Sequence, residues 1–145
     1  MHFEETAQLR GELALSIRKA GIEVERYIHR NMIMNVARDA LARLLGGDGT
    51  GKTITHIGVG TNGNGPDPAD TQLTSAYTKK ISGHSYPATG RVTFSFSIGR
   101  AEANGKKICE FGLLCSDGTL FARRTRGIIE KADDIEIIGT WTIIF

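Results

Sequence analysis

Residues Gly46 to Thr53 read GGDGTGKT and satisfy the spacing G-x-x-x-x-G-K-[ST] of a phosphate-binding loop letter for letter. In that motif backbone N–H groups cradle phosphates, the lysine bridges them and the hydroxyl holds Mg²⁺. The chemistry needs a strand entering the loop and a helix leaving it, so that a helix N-terminus faces the phosphates. Here the surrounding pattern runs the other way. A helical apolar stripe ends at Leu45, and a β-branched run, Ile54-Thr55-His56-Ile57, follows Thr53. The loop therefore meets a helix C-terminus, whose partial negative charge repels phosphate. Asp133 and Asp134 precede their apolar run rather than ending one, so neither is placed to hold a metal. The match reads as a decoy whose glycines stop a helix and make a turn.

Other chemistry-bearing residues are sparse. His2, His29, His56 and His84 show neither H-E-x-x-H nor C-x-x-C spacing, although His29 and His56 could meet in space. No G-x-S-x-G elbow marks a serine nucleophile. Glu102 and Glu110 flank an expected hairpin, and Asp133 and Asp134 an expected turn, so no acid–base pair stands out. Arg123, Arg124 and Arg126 form the densest positive patch. On a strand Arg124 and Arg126 share a face and Arg123 takes the other. With no aromatic stacking surface close by, that face suits inter-subunit salt bridges better than nucleic acid. No catalytic, cofactor-binding or metal residue is nominated, and an enzyme is not expected.

Cys109 and Cys115 are six residues apart. On one strand their Cα atoms would be about 20 Å apart, against the roughly 7 Å limit of a disulfide. Two buried thiols are expected, with an intermolecular link as the alternative.

The elements that must position these residues follow from periodicity. With 145 residues, 40% of them hydrophobic, and a net charge of +2, the chain suits one domain without disulfide or metal support. Its start, MHFEETAQLR, is polar and acidic where a secretory signal would be basic and then apolar, and no apolar run is long enough to span a bilayer. Leu9, Leu13 and Ile17 recur at four-residue spacing, which predicts an amphipathic helix over Glu4 to Lys19, stopped by Gly21. Residues 1–21 are expected to form a helical arm for oligomerisation or docking, followed by a β-rich domain over 22–145.

Ile22 to His29 alternates as a strand, and Met32 to Leu45 predicts a second helix with Asn31 as its N-cap. Strands are expected over 53–60, 74–81, 91–100, 107–115, 119–126 and 134–145, with an exposed loop over 61–71. Ala103-Asn104-Gly105 and Ser116-Asp117-Gly118-Thr119 predict hairpin turns, hence antiparallel pairing. The expected class is α+β: a small antiparallel sheet or sandwich with one packed helix, preceded by the N-terminal amphipathic helix.

From His29 onward several pieces occur in order: His29-x-Asn31-x-Ile33, Ile54-Thr55-His56-Ile57-Gly58-Val59-Gly60-Thr61, and a Gly/Pro-rich loop ending in Asp70-Thr71-x-Leu73. Glu102-Ala103-Asn104-Gly105, Ile108-x-Glu110-x-Gly112-Leu113 and Gly118-x-Leu120-Phe121-Ala122-Arg123 follow, then Lys131 and Trp141-Thr142-Ile143-Ile144-Phe145. In these the chain resembles tailed-phage virion proteins of the tail-fibre and baseplate class. The resemblance implies a non-enzymatic structural protein, built in several copies around the tail axis, that joins fibres to the tail. The chain has no long repetitive shaft, which points to a baseplate-peripheral or fibre-anchoring subunit. Implied partners are copies of itself, as a trimer or hexamer, and other tail, baseplate or fibre proteins, with neither nucleic acid nor membrane. Implied localisation is the virion, after synthesis in a host cytoplasm. Expected interface residues are Leu9, Leu13 and Ile17 on the arm, and Arg124 and Arg126. The alternative is a receptor- or glycan-binding module using the 61–69 loop with Tyr77 and Tyr86; nucleotide binding by GGDGTGKT ranks third.

Overall fold

The computed structural model describes residues 9–145. Two antiparallel sheets share one core, and among the described residues one short helix packs beside them. The first sheet, A, is built from β1 (Arg10–Lys19), β2 (Ile22–Asn31), β5 (Gly83–Ser85), β6 (Arg91–Ile98) and β9 (Ile135–Ile144), in the order β2-β1-β9-β6-β5. The second, B, holds β3 (Ile54–Gly60), β4 (Tyr77–Lys80), β7 (Lys107–Cys115) and β8 (Leu120–Glu130), in the order β4-β3-β7-β8. Between β2 and β3 lies α1 (Asn35–Gly46). Trp141, Phe96, Leu13 and Leu15 from sheet A meet Ile57, Phe111 and Leu113 from sheet B in the shared core.

The N-terminal segment corrects the expected helix. Arg10–Lys19 is a central strand, paired with β2 on one side and β9 on the other. A four-residue spacing is also a multiple of two, so Leu9, Leu13 and Ile17 suit a strand face as well as a helix stripe. Leu15 decides between them: Leu13, Leu15 and Ile17 are all buried, with Glu12, Ala14, Ser16 and Arg18 alternating on the other face. Gly21 ends no helix. Ala20 and Gly21 have φ of 51° and 81° and link Lys19 to its partner Ile22. Two consecutive positive-φ residues are what a type I′ hairpin turn requires. The arm expected over 1–21 is thus part of the domain from Arg10 onward, and its portion over residues 4–8 lies outside the described residues.

The second helix is shorter than expected and begins at Asn35, with Met34 at the N-cap and no capping side chain. Asn31 instead closes β2. Its carboxamide accepts the Trp141 indole N–H at 2.9 Å and donates to the Met32 carbonyl at 2.8 Å, satisfying the largest core side chain. Ala37 and Ala40 are the buried face of α1. The Ser116–Thr119 hairpin forms as expected, with Gly118 at φ 91°. Ala103-Asn104-Gly105 does not make a hairpin: β6 belongs to sheet A and β7 to sheet B, so this loop crosses between sheets. Lys131 braces the crossing, its ammonium donating to Asn104 Oδ1 at 2.8 Å and to the carbonyls of Arg100 and Ala132.

Candidate interaction surface

β2 is the outer strand of sheet A, with β1 as its only partner strand among the described residues. Its inward side faces β8. Arg126 holds the Glu25 carboxylate through both terminal nitrogens, at 2.6 and 3.1 Å, and lies 5.1 Å over the Tyr27 ring. Arg124 donates to the Tyr27 hydroxyl at 2.8 Å and to the Arg30 carbonyl at 3.1 Å. Arg124 and Arg126 do share a face, but it is turned to β2 of the same chain. The expected inter-subunit role is therefore corrected: they clip the two sheets together.

Leu13 and Ile17, also expected at an interface, are core residues. Leu9 is half-buried and packs against that core. The apolar residues that β2 does present to solvent are Ile22, Val24 and Ile28, exposed by 71%, 59% and 56%. The alternation over Ile22 to His29 sets these three on one strand face. The missing signal was tertiary, since β1 had to be recognised as the strand that separates β2 from β9 and leaves β2 outermost.

The loop after β3 is exposed along most of its length yet firmly held. Glu110, fully buried on β7, accepts the backbone N–H groups of Asn62 and Thr74, each at 2.9 Å. Its other oxygen takes the Arg123 Nε–H at 2.8 Å. Arg123 is 2% exposed and donates also to Asp70 and to the carbonyls of Asn62 and Asn64, all at 3.0 Å. Inside this clamp Leu73 lies across Gly58 and Gly112, which are paired between β3 and β7. A Cβ on Gly58 would stand 2.6 Å from Leu73 Cδ1, so a larger residue there would have to displace the Leu73 side chain. Side-chain bonds from Lys79 and Tyr77, at 2.7 and 2.6 Å, hold the Glu102 carboxyl down at about 2, well below its ordinary 4.5. Tyr77 packs against the core and is raised in pKa by the same contact, while Tyr86 is exposed.

The GGDGTGKT segment has the order the sequence implied. α1 ends at Gly46, Gly47 caps it at φ 84°, and β3 begins at Ile54. Lys52 pairs with Asp117 at 2.7 Å and donates to Thr119 at 3.2 Å. This ion pair, with the Thr119 N–H, holds Asp117 at about 2. His56, on β3, bonds the Thr55 hydroxyl at 2.7 Å, while His29 stacks at 4.3 Å on Tyr27 of its own strand, β2. Among the described residues no cluster of three His, Cys, Asp or Glu could hold a metal ion. Cys109 and Cys115 are buried free thiols, and burial pushes Cys115 up to about 11.

Comparison with protein families, with curated proteins and with solved structures finds no match to this chain.

Proposed function

We propose that this chain is a non-enzymatic virion subunit of a tailed phage, peripheral to the baseplate or anchoring a fibre, that assembles in several copies and links fibres to the tail. The observation that carries the assembly part is β2: a ten-residue outer strand with a free edge and Ile22, Val24 and Ile28 in solvent. Such an edge templates pairing with another chain, and proteins that remain monomeric blunt it. Two carboxylates of β2 are drawn into ion pairs, Glu25 with Arg126 and Glu23 with Arg26, while Ile22, Val24 and Ile28 stand in solvent beside the exposed Arg26. Burying that strand against a second copy satisfies its backbone and its apolar side chains together. The phage assignment rests on the resemblance of residues 29–145 to tail-fibre and baseplate proteins.

The test is the native mass of the full chain by light scattering, with Val24→Lys and Ile28→Lys beside it. A discrete trimer or hexamer that the lysines convert to a folded monomer is expected. A wild-type monomer at every concentration overturns self-assembly through β2. Antibody labelling at the tail tip of intact particles tests the virion assignment, and label confined to free protein overturns it. Deleting the first 21 residues is no test of assembly, because it removes a central strand of sheet A.

A further inference from the structure

Where the β1–β2 hairpin, the start of α1 and the 61–74 loop come together, a pocket of about 640 Å³ opens to solvent. Four arginines line it: Arg10, Arg30, Arg38 and Arg124. Among the described residues no carboxylate does. Glu12, Asp67 and Asp70 lie outside the lining. Glu12 stands opposite Arg30 across the hairpin register, Asp67 accepts the Ala69 N–H, and Asp70 is held by Arg123. Arg10 Nε is buried with no hydrogen-bond partner among the described residues. Four like charges around one space repel each other unless an anion stands between them.

A second feature adds to the same field. Asn35, the first residue of α1, is at the pocket, and the helix carries no acidic residue in its first turn and no capping side chain. The positive end of the helix dipole lies on this side with no charged group on it, the Asn35 N–H being taken by the Pro68 carbonyl at 2.8 Å. Guanidinium groups match planar, two-oxygen anions, and four of them exceed what one carboxylate needs.

The remaining wall decides the class of anion. Leu9, Met32 and Pro66 contribute apolar surface, and the volume is that of a site for a sizeable ligand rather than a single ion. Among the described residues no aromatic side chain lines the space, and a stacking surface is what single-stranded nucleic acid uses. We infer that this pocket docks a short segment of a partner protein in which Asp or Glu alternates with aliphatic residues. The carboxylates reach Arg30 and Arg38 at the exposed mouth and Arg10 and Arg124 deeper in, and the aliphatic groups lie on Leu9 and Met32. This inference stands on the pocket itself and does not depend on the assembly reading of β2.

The test selects random peptides displayed on yeast against the full-length chain, then measures the recovered sequences as synthetic peptides by fluorescence anisotropy. Recovered sequences should be rich in Asp and Glu interleaved with Leu, Ile or Met, and their Asn/Gln versions should not bind. Arg30→Glu with Arg38→Glu changes only exposed side chains and should weaken binding about tenfold or more. Melting of the double variant checks that it is folded. Selection without acidic enrichment, or acidic peptides that bind the double variant as well as wild type, overturns the inference. Displacement of the peptides by oligothymidylate at lower concentration than by free acidic peptide overturns it in favour of a nucleic-acid site.

Discussion

Arg123 and Arg124 are sequence neighbours on β8, yet they belong to two different kinds of place. Arg123 turns to the side covered by the 61–74 loop, where two carboxylates and two carbonyls surround it. Arg124 turns to the hairpin side, where the Tyr27 hydroxyl, the Arg30 carbonyl and, at 3.5 Å, His29 Nδ1 meet its three nitrogens, and three further arginines line the same pocket. A buried guanidinium with matched acceptors is finished and can only hold the fold. A group of half-satisfied ones facing a pocket can still gain by binding. The difference separates architecture from recognition more clearly than residue type does, since both places are built from arginine.

The closed side should be the more fragile of the two. Glu110→Ala leaves Arg123 buried beside an empty site and frees the N–H groups of Asn62 and Thr74. Removing one partner of a buried pair costs about 3–5 kcal/mol, read as a drop in the urea midpoint. Amide exchange at Asn62 and Thr74 should accelerate with it. Combining Glu110→Leu with Arg123→Met should cost less than the two single changes added, because neither then strands a charge. Strict additivity would mean that the two side chains do not act as one unit.

The hairpin divides in the same manner between its two faces. Leu13→Ala empties a fully buried site and should cost about 2–5 kcal/mol without altering the subunit count of whatever remains folded. Ile28→Lys is on the exposed face and should leave stability within about 0.5 kcal/mol while abolishing self-association. If Leu13→Ala dissolves an oligomer and Ile28→Lys does not, the inner and outer faces have been assigned the wrong roles.

How far the sequence made this legible depends on a few residues. Strand alternation from residue 54 onward, the helix ahead of GGDGTGKT and the Asp117-Gly118 turn are all local patterns, and the structure agrees with them. The first strand was misread because a spacing of four satisfies both periods, and only Leu15 at the intermediate position separates them. The Glu110–Arg123 pair was out of reach for a related reason. Counting outward from the Asp117-Gly118 turn from the Leu114↔Leu120 pair would set Gly112 opposite Ala122 and put Arg123 on the wrong face. A register shift between Leu113 and Leu114 sets Gly112 opposite Arg123 instead. One extra residue in a strand reverses every face beyond it, and no local signal announces it. The arginine pocket draws on four separated segments, so no window of sequence contains it.

Acid should act on the covered regions through carboxylates held in ion pairs. Glu102 and Asp117 both have folded pKa values near 2, below their ordinary 4.5 and 3.8. Below about pH 4.5 the unfolded chain takes up protons that the folded chain refuses, so stability is full above that pH and declines as it falls toward 2. The urea midpoint should therefore fall between pH 5 and pH 2.5, and Glu102→Gln should flatten part of the decline. An equally steep decline in Glu102→Gln would remove the Lys79–Glu102 contact from the account.

The smallest change in stability is expected at the pocket, and its sign is the informative part. Arg30 and Arg38 are exposed, and no ion pair holds either among the described residues. In a structural surface pair, reversing one charge loses a few tenths of a kcal/mol. In a cluster of four like charges it relieves repulsion instead, so Arg38→Glu should leave the melting temperature unchanged or raise it slightly at low salt. Added salt screens the repulsion over a Debye length of about 8–10 Å at 0.10–0.15 M and should bring the variant and wild type together. A clear loss of stability in Arg38→Glu that salt does not reduce would place this arginine among the fold-holding contacts, alongside Arg123.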